Sequence, residues 1–210
     1  GTVTIPVRGL PTMRTPQALS HVMPSLLGHT LAGFTVSAAF HRGRPPFRVA
    51  LAATACALAP DLDWFTGWAG LSEGHDLAHR GISHGLAAVP ILAGCFMLLL
   101  FRKRLKEPRL WLCLGAATLS HGLLDAWTFG GTGVAFLAPF IDTRYTAAWQ
   151  PLFVSPLPLS GHLLEWFLFA LATELVWLGL PALLIIEGLK RRFDRPQLDR
   201  EPLVPRETDA

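Results

Sequence analysis

Five apolar stretches, separated by polar and basic segments, run along the chain. A helix crosses the hydrocarbon core of a bilayer with about 20 apolar residues, and roughly 17 is the lower limit. The first stretch is close to that limit and the other four are longer. The pattern predicts an all-α integral membrane protein, a bundle of about five transmembrane helices, with these spans: Ser25–Phe40, Phe47–Phe65, Ile82–Phe101, Leu110–Phe129 and His162–Gly188.

The composition agrees with a membrane protein, since 51% of the residues are hydrophobic and only 16% are charged. The 210 residues suit one compact bundle, which we expect over residues 23–190. Residues 1–22 are polar and predict a disordered extension, and residues 191–210 form a charged, proline-containing tail. Residues 130–160 combine Gly and Pro with apolar residues and predict an interfacial or re-entrant cap.

The basic residues indicate an orientation for the bundle. Basic loops of membrane proteins lie on the cytoplasmic side, and the basic clusters follow the first, third and fifth stretches. We therefore expect a multi-pass protein of the cell inner membrane with a cytoplasmic C-terminus. Its partner is the lipid bilayer rather than nucleic acid. The clusters are Arg42, Arg44 and Arg48; Arg102, Lys103, Arg104, Lys106 and Arg109; and Lys190, Arg191, Arg192 and Arg195.

The opposite ends of the stretches carry the histidines and carboxylates. At a rise of about 1.5 Å per residue along a helix, five of these residues lie within roughly 12 Å of the outer surface of the membrane: His29, Asp61, His84, His121 and His162. Ionisable groups at this depth are expensive and indicate a functional site. The sequence therefore predicts a site on the extracytoplasmic side, beneath the cap. The candidate metal ligands are His29, Asp61, His79, His84, His121, Asp125, His162 and Glu165.

Helical spacing groups some of these ligands. His121 and Asp125 are four positions apart, and His162 and Glu165 are three apart, so each pair shares a helix face. Imidazole and carboxylate together suit zinc, manganese or iron. We expect Zn²⁺, with two or three ions and with Mn²⁺ as the alternative. The cysteines lie in apolar stretches and are interpreted as buried residues, neither ligands nor disulfides: Cys56, Cys95 and Cys113.

A site with more than one metal suits the hydrolysis of phosphate esters by metal-activated water. Asp61 or Asp63 is then the candidate general base. Arg80 and Arg144 lie on the same side of the membrane and can hold an anionic substrate, because a guanidinium binds phosphate through paired hydrogen bonds. The alternative for both arginines is a surface anchor or a structural ion pair. A site at the level of the lipid headgroups favours a lipid or lipid-linked substrate.

The order of short motifs resembles a family of bacterial inner-membrane proteins described as metal-dependent hydrolases and also labelled LexA-binding. The motifs are Gly-His-Thr, Pro-Asp-Leu-Asp, His-Arg-Gly-Ile-Ser-His and Ser-His-Gly-Leu-Leu-Asp, followed by a Pro-Phe segment that ends in Arg-Tyr. The resemblance covers roughly residues 23–190. It implies a membrane-bound metal-dependent hydrolase.

A more distant likeness links the chain to zinc-dependent phospholipase C and the related fungal single-strand nucleases. It implies that His29, Asp61 and either His79 or His84 take the first ligand positions. His121 and Asp125 keep the spacing of those enzymes. The last pair, His162 and Glu165, has one residue fewer between its members, and a lone histidine before it has no counterpart here.

Two other classes of function remain open from sequence. A metal or proton transporter also places His and Asp in membrane helices, but it needs polar residues toward the cytoplasmic ends, and the first, third and fourth stretches are apolar there. A non-enzymatic scaffold that binds a regulator would use the basic loops and leaves the His/Asp set unexplained. The sequence leaves open the substrate, the identity and number of the metals, which of His79 and His84 is a ligand, and the oligomeric state.

Overall fold

The computed structural model describes residues 26–68, 75, 77–129, 133–153 and 163–194. These residues form helices joined by turns, with two isolated β-bridges, so the all-α prediction is confirmed for this part of the chain. A π-helical segment, Leu175–Gly179, joins the last two helices. The helices are α1 (Leu26–Phe40), α2 (Phe47–Leu58), α3 (Phe65–Trp68), α4 (Ala88–Leu100), α5 (Pro108–Ala126), α6 (Leu163–Glu174) and α7 (Leu180–Phe193).

The ends of the second and third apolar stretches differ from the prediction. Helix α2 stops at Leu58, and a 3-10 turn over Ala59–Trp64 follows, because Pro60 cannot donate the next helical hydrogen bond. The third helix begins only at Ala88, because Ile82–His84 form a separate 3-10 turn. Both turns lie at the same end of the bundle, and they carry Asp61, Asp63 and His84.

The core between α1, α2, α4 and α5 is built from small residues and a few larger side chains. Ala52, Ala53 and Ala57 on α2 are fully buried beside Leu114 and Met97. Cys56 and Cys113 belong to this core, as expected. Cys95 is exposed, which corrects its interpretation as a buried residue. All three cysteines are free thiols.

Helices α1 and α2 approach each other closely at Gly33. A Cβ atom there would lie 2.8 Å from the Ala53 carbonyl oxygen and 2.9 Å from the Ala57 Cβ. We expect Gly33→Ala to force the two backbones apart and to lower the free energy of unfolding by about 1–3 kcal/mol. Thermal unfolding in detergent measures this loss. Gly188→Ala is the matched control, because nothing lies within 4 Å of its Cβ position.

The control variant is expected to be neutral or more stable by about 0.5–1 kcal/mol, since alanine favours a helix over glycine. Equal melting temperatures for Gly33→Ala and the wild type would contradict the close helix packing described here.

The basic segments meet at one end of the bundle. The Arg109 guanidinium, at the start of α5, donates to the Phe40 carbonyl at the end of α1. Arg44, after α1, pairs with Asp194 at 2.5 Å, just beyond α7. The loops after α1, α4 and α7 therefore lie together, in agreement with the charge pattern of the sequence.

The opposite end is covered by residues 133–153. The Leu86 N–H donates to the Phe136 carbonyl at 2.8 Å, and the Ala147 N–H donates to the Ala126 carbonyl at 2.8 Å. Within the segment, Val134 is fully buried and pairs with Tyr145. This part of the predicted cap folds over the end of α5 and the turn before α4. The rest of the predicted cap lies outside the described residues.

One helix is long and apolar enough to cross a membrane, among the residues that the structure describes. It spans Phe167–Phe193, 27 residues; an 18-residue window within it has a mean hydropathy of 2.1, and 17% of that window is buried. Helices α1 and α4 are apolar but shorter. Large apolar side chains on the outer faces are widely exposed, which suits a lipid environment: Phe47, Leu51, Ile91, Leu99, Leu112, Leu168 and Leu184.

Candidate metal centre

Five buried side chains from four elements meet at the capped end of the bundle. His29 comes from the first turns of α1, and Asp61 lies on the 3-10 turn after α2. His84 lies on the 3-10 turn before α4, and His121 and Asp125 occupy the last two turns of α5. Because Pro60 ends α2 early, Asp61 turns inward and reaches the α5 pair.

Four of these residues form a group in which one ligand atom from each lies within 4.8 Å of all the others. The group consists of Asp61, His84, His121 and Asp125, and all four are buried. The His84 Nε2 is 3.1 Å from Asp125 Oδ2, and the His121 Nε2 is 3.3 Å from Asp61 Oδ1. The two Nε2 atoms are 2.8 Å apart.

The tautomer of His121 is fixed by the main chain. Its Nδ1 lies 2.6 Å from the Ala57 carbonyl oxygen, which can only accept a hydrogen bond. The Nδ1 atom therefore carries the proton, and the Nε2 lone pair of the neutral ring points into the group. A backbone carbonyl behind the ring is a common arrangement for a metal-binding histidine.

His84 is oriented in the same way by a carboxylate. Its Nδ1 lies 3.1 Å from Asp63 Oδ2, so the Nδ1–H donates to Asp63 and the Nε2 atom faces Asp61 and Asp125. The Ser83 hydroxyl also donates to Asp63. Burial alone would lower the pKa of His84, but the contacts with Asp125, Asp61 and Asp63 raise it well above its ordinary value, so a metal ion would bind Nε2 in exchange for a proton.

Asp63 orients a second histidine as well. The His79 Nδ1–H donates to Asp63 Oδ1 at 2.8 Å, and His79 Nε2 is buried without a hydrogen-bond partner among the described residues. Burial opposes ionisation of Asp63, but the hydrogen bonds from His79 and His84 hold its pKa low, at about 2. A second possible ligand group, Asp61, Asp63, His79 and His84, shares two members with the first.

The buried atoms that face the first group lack hydrogen-bond partners. Both oxygens of Asp61, both oxygens of Asp125 and both ring nitrogens of His29 are unsatisfied among the described residues. His29 stacks on His121 with ring centroids 3.9 Å apart, and its Nε2 is 3.3 Å from Asp125 Oδ1. Buried polar atoms are normally paired, so this cluster of unpaired atoms around the ligand group indicates a ligand-binding site.

The charge of the centre is also unbalanced. Asp61, Asp63 and Asp125 are buried carboxylates, and Arg80 is the nearby guanidinium, with its Nε 3.3 Å from Asp125 Oδ2. With neutral histidines, two negative charges remain in a site of low dielectric, which is costly. A divalent cation would compensate both charges.

The donor atoms fit such a cation. Zn–N and Zn–O bonds of about 2.0–2.1 Å place tetrahedral ligands about 3.3 Å apart. Five of the six separations among Asp61, His84, His121 and Asp125 run from 2.8 Å to 3.7 Å, and the sixth, between the two carboxylates, is within 4.8 Å. The residues therefore fit a metal ion, with His29 as a further donor and His79 at the side of the site.

The remaining predicted site residues are Glu165, His162, Arg80 and Arg144, and not all of them lie at the centre. Glu165 is exposed on the first turn of α6 and belongs to neither ligand group. His162 lies outside the described residues. Arg80 is buried at the centre. Arg144 lies on the cap, where its Nη1 donates to the Gly133 and Arg80 carbonyls.

The sequence did not point to Ser83 or to the Ala57 carbonyl, although both orient histidines of the centre. Ser83 is part of the His-Arg-Gly-Ile-Ser-His motif, but serine has no strong affinity for these metals, so the motif indicates its histidines as ligands and not its serine. A backbone carbonyl leaves no signal in the sequence. Glu174, inside the long apolar helix, is also buried.

The described residues thus form an all-helical protein with one helix long and apolar enough to cross a membrane and a buried histidine–aspartate centre that can hold a metal ion. Residues 23–192 match the model of the YdjM inner membrane protein family, and the chain belongs to this family. The chain is 33% identical over 167 residues to the inner membrane protein YbcI of Escherichia coli (strain K12). The match covers 78% of this chain and 95% of YbcI.

The predicted resemblance to an inner-membrane family is therefore confirmed, and with it the inner-membrane character of the protein. No solved structure matches the chain.

Proposed function

We propose that this protein is a membrane-bound metal-dependent hydrolase of phosphate esters. One observation carries the proposal: the Nε2 atoms of His84 and His121 and the unpaired oxygens of Asp61 and Asp125 converge within one buried group. The separate hydrogen bonds behind both rings leave these nitrogens free to bind a cation. A centre built in this way is better suited to binding a reactive metal than to joining helices.

The roles follow from the contacts. Asp61, His84, His121 and Asp125 would hold a divalent ion, zinc or manganese, with His29 as a further donor. A bound ion of this kind lowers the pKa of water and stabilises charge on a phosphoryl group. Of the two predicted bases, Asp61 is the better one to take a proton from the attacking water, because both its oxygens are unpaired. Both oxygens of Asp63 already accept hydrogen bonds, so Asp63 orients His79 and His84.

The proposed topology keeps five spans: α1, α2, α4, α5 and the helix over residues 163–193. The meeting of the basic segments at one end supports a cytoplasmic location for that end. The metal centre then opens on the extracytoplasmic side. At 12–15 residues, α1, α2 and α4 are shorter than a bilayer is thick, so the adjoining turns would lie within the headgroup region.

The rim of the centre favours a lipid or lipid-linked substrate. Exposed apolar side chains flank the ligands of the two 3-10 turns in sequence, and Leu62, next to Asp61, is 65% exposed. Phe65 and Leu86 add to this surface. An amphiphilic molecule could rest its tail on these side chains while its phosphoryl group reaches the buried centre.

Turnover of defined substrates tests the proposal. Protein in detergent, loaded with zinc or manganese, is expected to release phosphate or a phosphorylated headgroup from phospholipid in mixed micelles. Asp61→Asn is expected to lower kcat by at least about 100-fold, the size of a general acid–base contribution. Cleavage of soluble phosphate esters alone would reject the lipid substrate, and no cleavage of either class would reject the hydrolase.

The structure gives no support to a transport path. Below His121, toward the basic end, the described core is filled by apolar side chains, among them Cys56, Leu114 and Ala117. A transported ion would need polar groups along that direction. The polar centre ends at one side of this core, as expected for a site that is used from one face.

A further inference from the structure

A buried guanidinium group faces the metal centre with one nitrogen unpaired. The Arg80 side chain is 4% exposed, and its Nε lies 3.3 Å from Asp125 Oδ2. Its Nη1 is buried and has no hydrogen-bond partner among the described residues. A buried N–H without a partner is costly, and a guanidinium is well suited to bind an oxyanion through two parallel hydrogen bonds.

The backbone of Arg80 is held in a conformation that an arginine rarely adopts. Its φ angle is 64°, in the left-handed region. Residues in this region persist when the surrounding structure fixes them, and they are frequent at ligand sites. Here the fixing contacts come from the cap, because the Ala135 N–H donates to the Arg80 carbonyl at 3.1 Å.

Arg144 makes a second contact from the cap to the Arg80 carbonyl. Its Nη1 lies 3.4 Å from the Arg80 carbonyl and 3.3 Å from the Gly133 carbonyl, so one guanidinium joins the cap to the Arg80 backbone. Arg144 is only partly buried and makes these contacts with main-chain atoms. The two arginines, both predicted to bind substrate, therefore occupy different positions relative to the centre.

We propose that Arg80 binds a phosphoryl oxygen of the substrate and that Arg144 is a positioning residue, which acts by holding the Arg80 backbone. The inference rests on the proposed function for the identity of the anion. The test is the binding of inorganic phosphate, which requires no turnover. The assignment of Arg80 and Arg144 and the proposed hydrolase function can therefore fail separately.

The surrounding charges set the conditions of binding. Asp125 already compensates the Arg80 charge, and Asp61 and Asp63 add negative charge nearby. An anion is therefore repelled unless a divalent cation is present. We expect inorganic phosphate to bind the protein loaded with zinc or manganese and not the metal-free protein.

Calorimetric titration with inorganic phosphate tests the assignment. Arg80→Lys keeps the charge but replaces the planar guanidinium with a single nitrogen, which cannot hold Asp125 and the phosphate through separate nitrogens, and it is expected to weaken phosphate binding roughly 10-fold to 100-fold. Arg144→Lys is expected to weaken it roughly fivefold. Arg109→Lys is the matched control, because Arg109 also donates to a backbone carbonyl, that of Phe40, at the opposite end. It should bind phosphate as the wild type does.

The double variant Arg80→Lys/Arg144→Lys separates positioning from direct binding. If Arg144 acts through Arg80, the double variant binds phosphate no more weakly than Arg80→Lys alone. Metal affinity and melting temperature should stay unchanged in Arg80→Lys, in Arg144→Lys and in the double variant. Unchanged phosphate binding in Arg80→Lys, loss of metal together with phosphate, or no phosphate binding to the metal-loaded wild type would each overturn the assignment of Arg80. Additive losses would overturn the role of Arg144.

Discussion

Simultaneous replacement of His121 and Asp125 by alanine is expected to remove divalent-metal binding. Both residues are fully buried and supply two of the four converging ligand atoms. Loss of a single outer partner of a metal ligand costs up to about 100-fold in affinity, and loss of two ligands should cost at least that much. Competition with a chromophoric chelator measures the change.

The control for this variant lies on the same helix. Ser120→Ala/Leu123→Ala alters neighbouring positions whose side chains are outside the ligand group, and it should bind metal as the wild type does. Circular dichroism and gel filtration show whether the variants fold. If the double alanine variant does not fold, Asp125→Asn, which keeps the shape of the side chain, takes its place. Tight metal binding by a folded variant would show that the metal lies elsewhere.

Replacement of Asp63 by asparagine is expected to weaken metal binding without removal of any of the four buried ligands. Asp63 accepts hydrogen bonds from His79, Ser83 and His84. Asparagine has one acceptor oxygen and one donor nitrogen, so it cannot accept from both rings. His84 then loses the contact that fixes its tautomer. We expect a 10–100-fold lower affinity for zinc.

Asp142→Asn serves as the control for Asp63→Asn, because Asp142 is an exposed residue of the cap. Its metal affinity should equal that of the wild type. If Asp63→Asn also binds zinc with unchanged affinity, the orienting role of Asp63 is wrong. A shift of bound metal to a weaker site in Asp63→Asn would instead indicate that Asp63 is itself a ligand.

The parts of the fold that depend on local sequence could be predicted. The helices α1, α2, α4 and α5 coincide with apolar stretches, and the spacing of His121 and Asp125 placed both on one helix face. The residues at which the helices end or begin could not be predicted in this way. Helix α4 starts late because the backbone at Gly85 lies against the cap, where a Cβ would meet the Ala138 carbonyl at 3.1 Å. That contact is tertiary and leaves no local signal.

The site could be predicted by residue type but not by role. The sequence left His79 and His84 equivalent, and the structure separates them because the Asp63 hydrogen bond directs the His84 Nε2 toward Asp125. Glu165 has the right spacing from His162, but a helical pair reaches a site only if its helix does, and Glu165 is exposed. The conformation of Arg80 depends on contacts with the cap, which spacing cannot reveal.

The metal content of the wild-type protein tests the central claim most directly. The protein is purified in mild detergent without chelators and without a histidine tag, and elemental analysis then gives the metal bound per chain. We predict one or more equivalents of zinc or manganese that remain through gel filtration. A folded protein that contains no divalent metal, and that takes up none when zinc or manganese is added, would contradict the metal centre and leave the buried His/Asp group as a structural feature.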